Sequence, residues 1–272
     1  MIDIVGIAET NEEVAPGYRL LRLALDQNVD VRPGQFAMLK PRRAREPLLR
    51  RALAIYRVDG TRRISFLYQV LGRGTEALAQ IGEGGEVETL LPLGNSWPIP
   101  RADEHAIVVA GGIGSASVLM LCEQLKQAAV NTTVFFGAAN AEAAVGCGLD
   151  DFRAYGFPLK LSTVDGSAGE HALVTAPLER CLKKDGGRGA TIYTCGPWAM
   201  MKRVSELADH FEVNCFASLE APMGCGFGVC VGCVVAVKTE NPIGYGSYKR
   251  VCTDGSIFNA KAVRWDINAM GH

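Results

Sequence analysis

After the stretch GNSWPIPRADEH the chain changes rhythm, and that change limits what it can fold into more than any other feature. Upstream, YRLLRLAL, QFAMLKP, RALAIYRV, RISFLYQV and GEVETLLPLG are short strand-like runs divided by Gly, Pro, Asp and Asn. That spacing suits a small antiparallel barrel. Downstream, HAIVVAGG is a continuous apolar run, as a parallel strand buried on both faces requires. SASVLMLCEQLKQAAV follows it with helical spacing. The alternation continues through TTVFFGAAN, PLKLSTV, LVTAPLERCLKK, ATIYTCGP and WAMMKRVSELADHF, which predicts a doubly wound parallel sheet. Three units are therefore expected: an antiparallel β-barrel over 1–102, an α/β domain over 103–215, and a small loop-rich domain over 216–272.

The last unit carries MGCGFGVCVGCVV and, further on, RVCTDG. Cys225, Cys230 and Cys233, with Cys252 behind them, follow the C-x4-C-x2-C…C spacing of plant-type [2Fe–2S] ligands. Gly224, Gly226, Gly228 and Gly232 suit a loop that wraps closely round a cluster, because they tolerate unusual φ values and lack obstructing side chains. Zinc is the nearest rival, but structural zinc sites usually present two short knuckles and only Cys230–Cys233 forms one. Four unliganded thiols in an apolar loop is the third reading. The other cysteines are scattered singly, and an odd total of nine without an export signal argues against a disulfide framework. The net charge of −1 gives no general attraction to nucleic acid or to an anionic membrane. No apolar run approaches the roughly 20 residues of a membrane span. The acidic start MIDIVGIAETNEEV lacks a signal peptide's basic region, so the expected location is cytoplasmic.

In VVAGGIGSAS a strand runs into a helix through Gly112 and Gly114, with Ser117 where a dinucleotide fingerprint has its third glycine. Such a turn permits close backbone approach to a pyrophosphate, although glycines there also serve chain geometry alone. Gly137 and the Cys195–Gly196–Pro197 segment lie at two further strand ends, the edge where open α/β sheets bind ligands. The second strand ends in Asn140, with no acid at its tip, and GAANAEAAVG offers no Arg or Lys for a 2′-phosphate. NAD is favoured over NADP. The histidines adjoin no Ser or Asp nucleophile pattern, so no acid–base catalysis is assigned, and Trp97, Trp198 and Trp265 read as core or lid packing.

With these segments in view, the chain resembles the ferredoxin–NADP reductase superfamily, in which a flavin-binding barrel precedes a nicotinamide-nucleotide domain. Gly111–Gly112–Ile113–Gly114 resembles the family's GGGIG-type turn, and Cys195–Gly196–Pro197 with Met200 its CGP…M motif. Arg51–Ala52–Leu53–Ala54 resembles the R-P-x-S flavin motif, and Gly72, Gly74 and Thr75 the phosphate-contacting G-x-G-T segment. The resemblance implies that these residues, with Tyr68 and Gln69, hold FAD. It also implies that Gly111 to Gly114, Gly137, Gly196, Pro197 and Met200 hold NAD. Cys195 is either a nicotinamide-site residue or a small core residue beneath it. Arg51 suits a bidentate contact with the pyrophosphate, while Arg42, Arg43 and Arg45 are left as surface or partner-facing. Ala52 and Ala54 depart from the motif. Losing the serine's hydrogen bond to flavin predicts binding weaker by about 0.5–1.5 kcal/mol. The TENPIGYGSY segment is a candidate family-variable loop.

SLEAPMGCGFGVCVGCVV…YKRVCTDGSIFNAKAVRW is most similar to the iron–sulfur electron-transfer subunits of NAD-dependent, type B dihydroorotate dehydrogenases. That resemblance implies FAD, NAD(H), a [2Fe–2S] cluster held by Cys225, Cys230, Cys233 and Cys252, and an FMN-containing catalytic subunit in a hetero-oligomer. The expected activity is an electron relay in pyrimidine biosynthesis. The alternatives are the same module serving a hydrogenase, sulfite reductase or bifurcating transhydrogenase, or a zinc-stabilised binding module without redox activity.

Overall fold

A computed structural model of the chain describes residues 1–267 apart from Arg45, Ala102, Arg188 and 240–244. Arg45 and the middle of TENPIGYGSY thus lie outside the described residues. The first unit contains β1 (Ile2–Ala15), β2 (Tyr18–Ala24), β3 (Phe36–Pro41), β4 (Arg51–Ala54), β5 (Arg57–Asp59), β6 (Arg63–Gln69), α1 (Arg73–Ala79) and β7 (Glu86–Leu93). Its strands form one antiparallel sheet, ordered β4-β3-β7-β1-β2-β6-β5. Only Ile55 and Tyr56 separate the two edge strands β4 and β5. Ile55 N–H donates to the Gln35 carbonyl beside β3, and Tyr56 N–H to Ser65 in β6. These bonds draw the sheet's edges together and curl it into the expected barrel. Its interior is filled by Leu21, Leu23, Leu39, Ile64, Phe66 and Val87.

The second unit runs β8 (His105–Gly111), α2 (Ser115–Gln127), β9 (Asn131–Ala138), α3 (Ala141–Gly146), α4 (Leu149–Ala154), β10 (Leu159–Thr163), β11 (Glu170–His171), α5 (Thr175–Asp185), β12 (Ala190–Cys195), α6 (Trp198–His210) and β13 (Asn214–Ser218). The remainder adds β14 (Val234–Ala236), β15 (Tyr248–Arg250), α7 (Val251–Asp254) and β16 (Ile257–Asn259). The second sheet is ordered β11-β10-β9-β8-β12-β13-β16 and is parallel up to β13. The order reverses direction between β8 and β12, which is the switch point where such sheets open a crevice.

The boundary expected at 215 falls inside β13, and β16 returns from the last segment to pair antiparallel with it, Ser218 opposite Ile257. The C-terminal segment is therefore built onto the α/β sheet. One apolar core joins Met38 and Leu93 of the barrel, Val204 and Leu207 of α6, and the buried Cys233 and Cys252. Among the described residues no helix is long and apolar enough to cross a membrane.

Candidate functional site

Strand register decides where the glycines meet. Gly111 of β8 lies opposite Gly137 of β9, and Ala110 lies opposite Cys195 of β12. A cleft of about 600 Å³ opens at this edge, lined by Gly111, Gly112, Ile113, Gly114, Gly137, Gly196, Pro197 and Met200. A Cβ on Gly114 would stand 2.5 Å from the Gly196 nitrogen, so the two turns pack backbone against backbone. Gly112, at φ +53°, has nothing within 4 Å of where its Cβ would be, and faces open space. Cys195 is not on the cleft wall: it is 2% exposed and belongs to the core beneath, where burial pushes its thiol up. Asn140 caps α3, its Oδ1 accepting the Ala143 N–H at 2.8 Å. Among the described residues Arg203 is the one arginine on the cleft, and it pairs with Glu179 at 3.0 Å.

A second cavity, about 250 Å³, lies between the two large units. The barrel contributes Ala52, Leu53, Ala54, Tyr68, Gln69 and Thr75; Ser117 comes from α2, and Ser218, Glu220 and Met223 from the far end of β13 and beyond. Past Leu71 and Thr75 the depression continues over Arg51, Gly72 and Gly74. Thr75 Oγ1 accepts the N–H groups of Leu71 at 2.9 Å and Gly72 at 3.3 Å, closing the turn. A Cβ on Gly74 would collide with the guanidinium of Arg51, so glycine there lets Arg51 lie across the turn. Among the described residues Arg51 forms no ion pair, whereas Arg42 and Arg43 pair with Glu86, and Arg50 with Asp3 and Glu88. The donor chemistry fits FAD: small flat carbon walls for a ring system, then an uncommitted arginine over a tight glycine turn for a pyrophosphate.

Gln69, Ile113 and Glu220 line both cavities. Glu220 is exposed at these cavities, yet the protein packed around its carboxylate desolvates it and raises its pKa. Sequence reasoning missed Ser117, Ser218 and Glu220 as site residues. Ser117 carried a faint signal, standing where a third glycine was sought; the other two sit beside the thiol segment with no pattern of their own.

The four thiols form two pairs. Cys233 and Cys252 are buried with sulfurs 3.1 Å apart, and the Cys252 N–H points at the Cys233 sulfur from 3.5 Å. Cys225 receives the Cys230 N–H at 3.5 Å. Desolvation pushes the Cys225 thiol up, but N–H groups of Cys230, Phe227 and Val229 outweigh it, and its pKa falls to about 6. Among the described residues no group of three or more His, Cys, Asp or Glu side chains closes to metal-binding distance. The loop that carries the thiols is nevertheless closely packed through its glycines. A Cβ on Gly226 would stand 2.5 Å from Met38, and one on Gly228 2.8 Å from Thr253. Val231 holds φ +55°, a strained conformation for a β-branched residue of the kind found at ligand clamps. Backbone donors to sulfur and a glycine-rich wrap fit an iron–sulfur cluster.

Barrel, switch-point cleft, intervening cavity and thiol loop together define a reductase of the ferredoxin–NADP reductase class. The family model for the iron–sulfur cluster binding domain of dihydroorotate dehydrogenase B matches residues 220–264. The chain is 33% identical to the dihydroorotate dehydrogenase B (NAD(+)) electron transfer subunit of Desulforamulus reducens, covering 86% of this chain and 87% of that one. It is also 33% identical to the homolog of that subunit in Aquifex aeolicus, over 94% and 99% of the two chains. The chain belongs to the family of dihydroorotate dehydrogenase B electron transfer subunits. In structure it superposes, with a TM-score of 0.82 and 26% identity, on an NADH-dependent reduced ferredoxin–NADP oxidoreductase solved for insight into flavin-based electron bifurcation. That match covers 96% of this chain and 90% of the other.

Proposed function

We propose that this chain relays electrons between NAD(H), FAD and a [2Fe–2S] cluster, and exchanges them with an FMN-containing dihydroorotate dehydrogenase catalytic subunit in a hetero-oligomer. The observation that carries the reading is a succession of shared walls. Gln69, Ile113 and Glu220 belong to both the nicotinamide cleft and the flavin cavity. Met223, on the flavin cavity, is followed two residues later by Cys225. A flavin bound between them supplies the conversion between two-electron nicotinamide chemistry and one-electron cluster chemistry.

The chain's own residues hold and orient. Gly111, Gly112 and Gly114 bring backbone close to the dinucleotide, and the Gly196–Pro197 turn with Met200 walls the opposite side. Arg51 and the Gly72–Thr75 turn take the FAD pyrophosphate, while Ala52 to Ala54, Tyr68 and Gln69 form the ring's barrel-side wall. Cys225, Cys230, Cys233 and Cys252 hold the cluster. The nine free cysteines suit a reducing compartment, and the proposed location is the cytoplasm.

A second reading keeps the module and changes the partner. It is favoured by the fold shared with the bifurcating oxidoreductase over 96% of this chain. The test is to purify the chain anaerobically with and without a candidate catalytic subunit. Flavin and iron–sulfur absorption bleached by NADH establishes the relay, and NAD⁺-dependent oxidation of dihydroorotate by the pair establishes the partner. A colourless, zinc-containing protein overturns both readings.

A further inference from the structure

The flavin cavity is unequal in its polarity. Its barrel wall at Ala52, Leu53 and Ala54 presents only carbon side chains. Of its other polar groups, Gln69 and Glu220 are shared with the nicotinamide cleft, Tyr68 is bonded to Asn11 Oδ1 at 3.1 Å, Thr75 is spent on its own turn, and the Ser256 hydroxyl donates to the Gly34 carbonyl at 3.2 Å. On the α/β side two hydroxyls stand differently. Ser117, in the first turn of α2, and Ser218, the last residue of β13, are 7% and 4% exposed and both line the cavity. Ser117 Oγ and Ser218 Oγ stand 2.9 Å apart, so one hydroxyl donates to the other and one O–H of the pair is left to be placed; with Ser117 as donor it is that of Ser218. The Cys195 thiol lies beside both hydroxyls, but sulfur is a weak acceptor. A buried hydroxyl proton with no strong acceptor is costly, and nearly all such groups find one.

We infer that the Ser117–Ser218 pair is the cavity's hydrogen-bonding anchor for the flavin ring: Ser218 donates its proton to an acceptor atom on the ring's polar edge, and Ser117 holds Ser218 in the donating orientation. The inference rests on the FAD reading above and adds a contact from the nucleotide domain to those the barrel provides. Three positions fix the pair. Ser218 is held opposite Ile257 in the β13–β16 register. Ala217, just before it, lies opposite Thr194, which seats Ser218 next to Cys195. Trp97 Nε1 donates to the Ser117 carbonyl at 2.9 Å and pins the start of α2.

The test compares wild type, Ser218→Ala, Ser218→Thr and Ser117→Ala, each purified with its cofactors. Ser205→Ala serves as the control: Ser205 is 2% exposed and bonded to the Ala260 carbonyl, and it does not line the cavity. FAD dissociation is followed by flavin fluorescence, and the ring's environment by its visible band positions and midpoint potential. Ser218→Ala is expected to raise the FAD dissociation constant roughly 2- to 12-fold, the value of one neutral hydrogen bond, and to shift both bands and potential. Ser218→Thr keeps the hydroxyl and restores them. Ser117→Ala moves them in the same direction by less, and Ser205→Ala lowers the melting temperature alone. Wild-type bands and affinity in Ser218→Ala, or a Ser218→Thr protein that behaves like the alanine variant, overturns the inference while leaving the FAD reading intact. A wild-type protein that takes up no flavin overturns both.

Discussion

Glu220 opens onto the nicotinamide cleft and the flavin cavity together, and the desolvation it meets there favours its neutral form. The consequence for stability has a definite sign. Below the ordinary glutamate value the folded and unfolded chains both carry the proton, and the group contributes nothing. As pH rises past that value the unfolded chain releases its proton first, so the folded state loses stability until its own raised value is reached, and then levels off. Glu220→Gln removes the titration while keeping a similar shape. We expect the variant to match wild type in acid, to become progressively more stable than wild type as pH rises, and then to hold a constant advantage. Urea denaturation at a series of pH values measures this. An advantage independent of pH would mean that the carboxyl keeps an ordinary pKa. Nothing in the sequence announces the effect, because the surroundings of Glu220 come from strands remote in the chain.

At the level of elements, the site rests on the turns that leave β8 and β12. These were legible: a continuous apolar run ending in glycine marks a buried strand and the turn that leaves it, and register alone was needed to bring Gly111 beside Gly137. The iron–sulfur binding segment was legible for a similar reason, since the spacing that marks it is local. What was not legible was return pairing. β1 hides its alternation of Ile4, Gly6 and Ala8 inside an acid-rich segment, and β16 is three residues whose placement depends on β13. The Ser117–Ser218 bond joins residues 101 apart, which no local pattern encodes. The packed turns carry their own prediction. A Cβ on Gly114 would sit 2.5–2.7 Å from Gly196 and Cys195 backbone atoms, which have no flexible side chain to move aside. Gly114→Ala should therefore cost about 1–3 kcal/mol, as overpacking does, and should weaken NADH binding by spreading the cleft. The first is read from the denaturation midpoint and the second from NADH titration of the flavin absorbance. A wild-type midpoint would show that the turns part freely.

Across the whole molecule, each site is built from units that must stay in register with one another. The barrel and the α/β domain are latched where buried Tyr56 donates to Asp151 at 2.5 Å and Arg57 pairs with the same carboxylate at 3.1 Å. The C-terminal segment is latched differently, through Asn95 in the linker. Asn95 Oδ1 accepts the Ile257 N–H at 2.9 Å, its Nδ2 donates to the Ile257 carbonyl at 2.8 Å, and its own N–H donates to the Gly255 carbonyl. One side chain thus pairs with β16 as a further strand would, on a segment that also carries Cys252 three residues before Gly255. Asn95→Ala leaves two backbone groups of Ile257 without these partners. The site is only partly buried, so the loss should be about 1–3 kcal/mol in all rather than for each group. If the thiol lobe and the α/β sheet fold as one body, flavin release and iron–sulfur bleaching should shift together to lower urea, with a single transition. If the lobe is a separate unit, the variant should bleach first and keep its flavin to the wild-type midpoint. The shared core of Met38, Val204, Cys233 and Cys252 predicts the single transition.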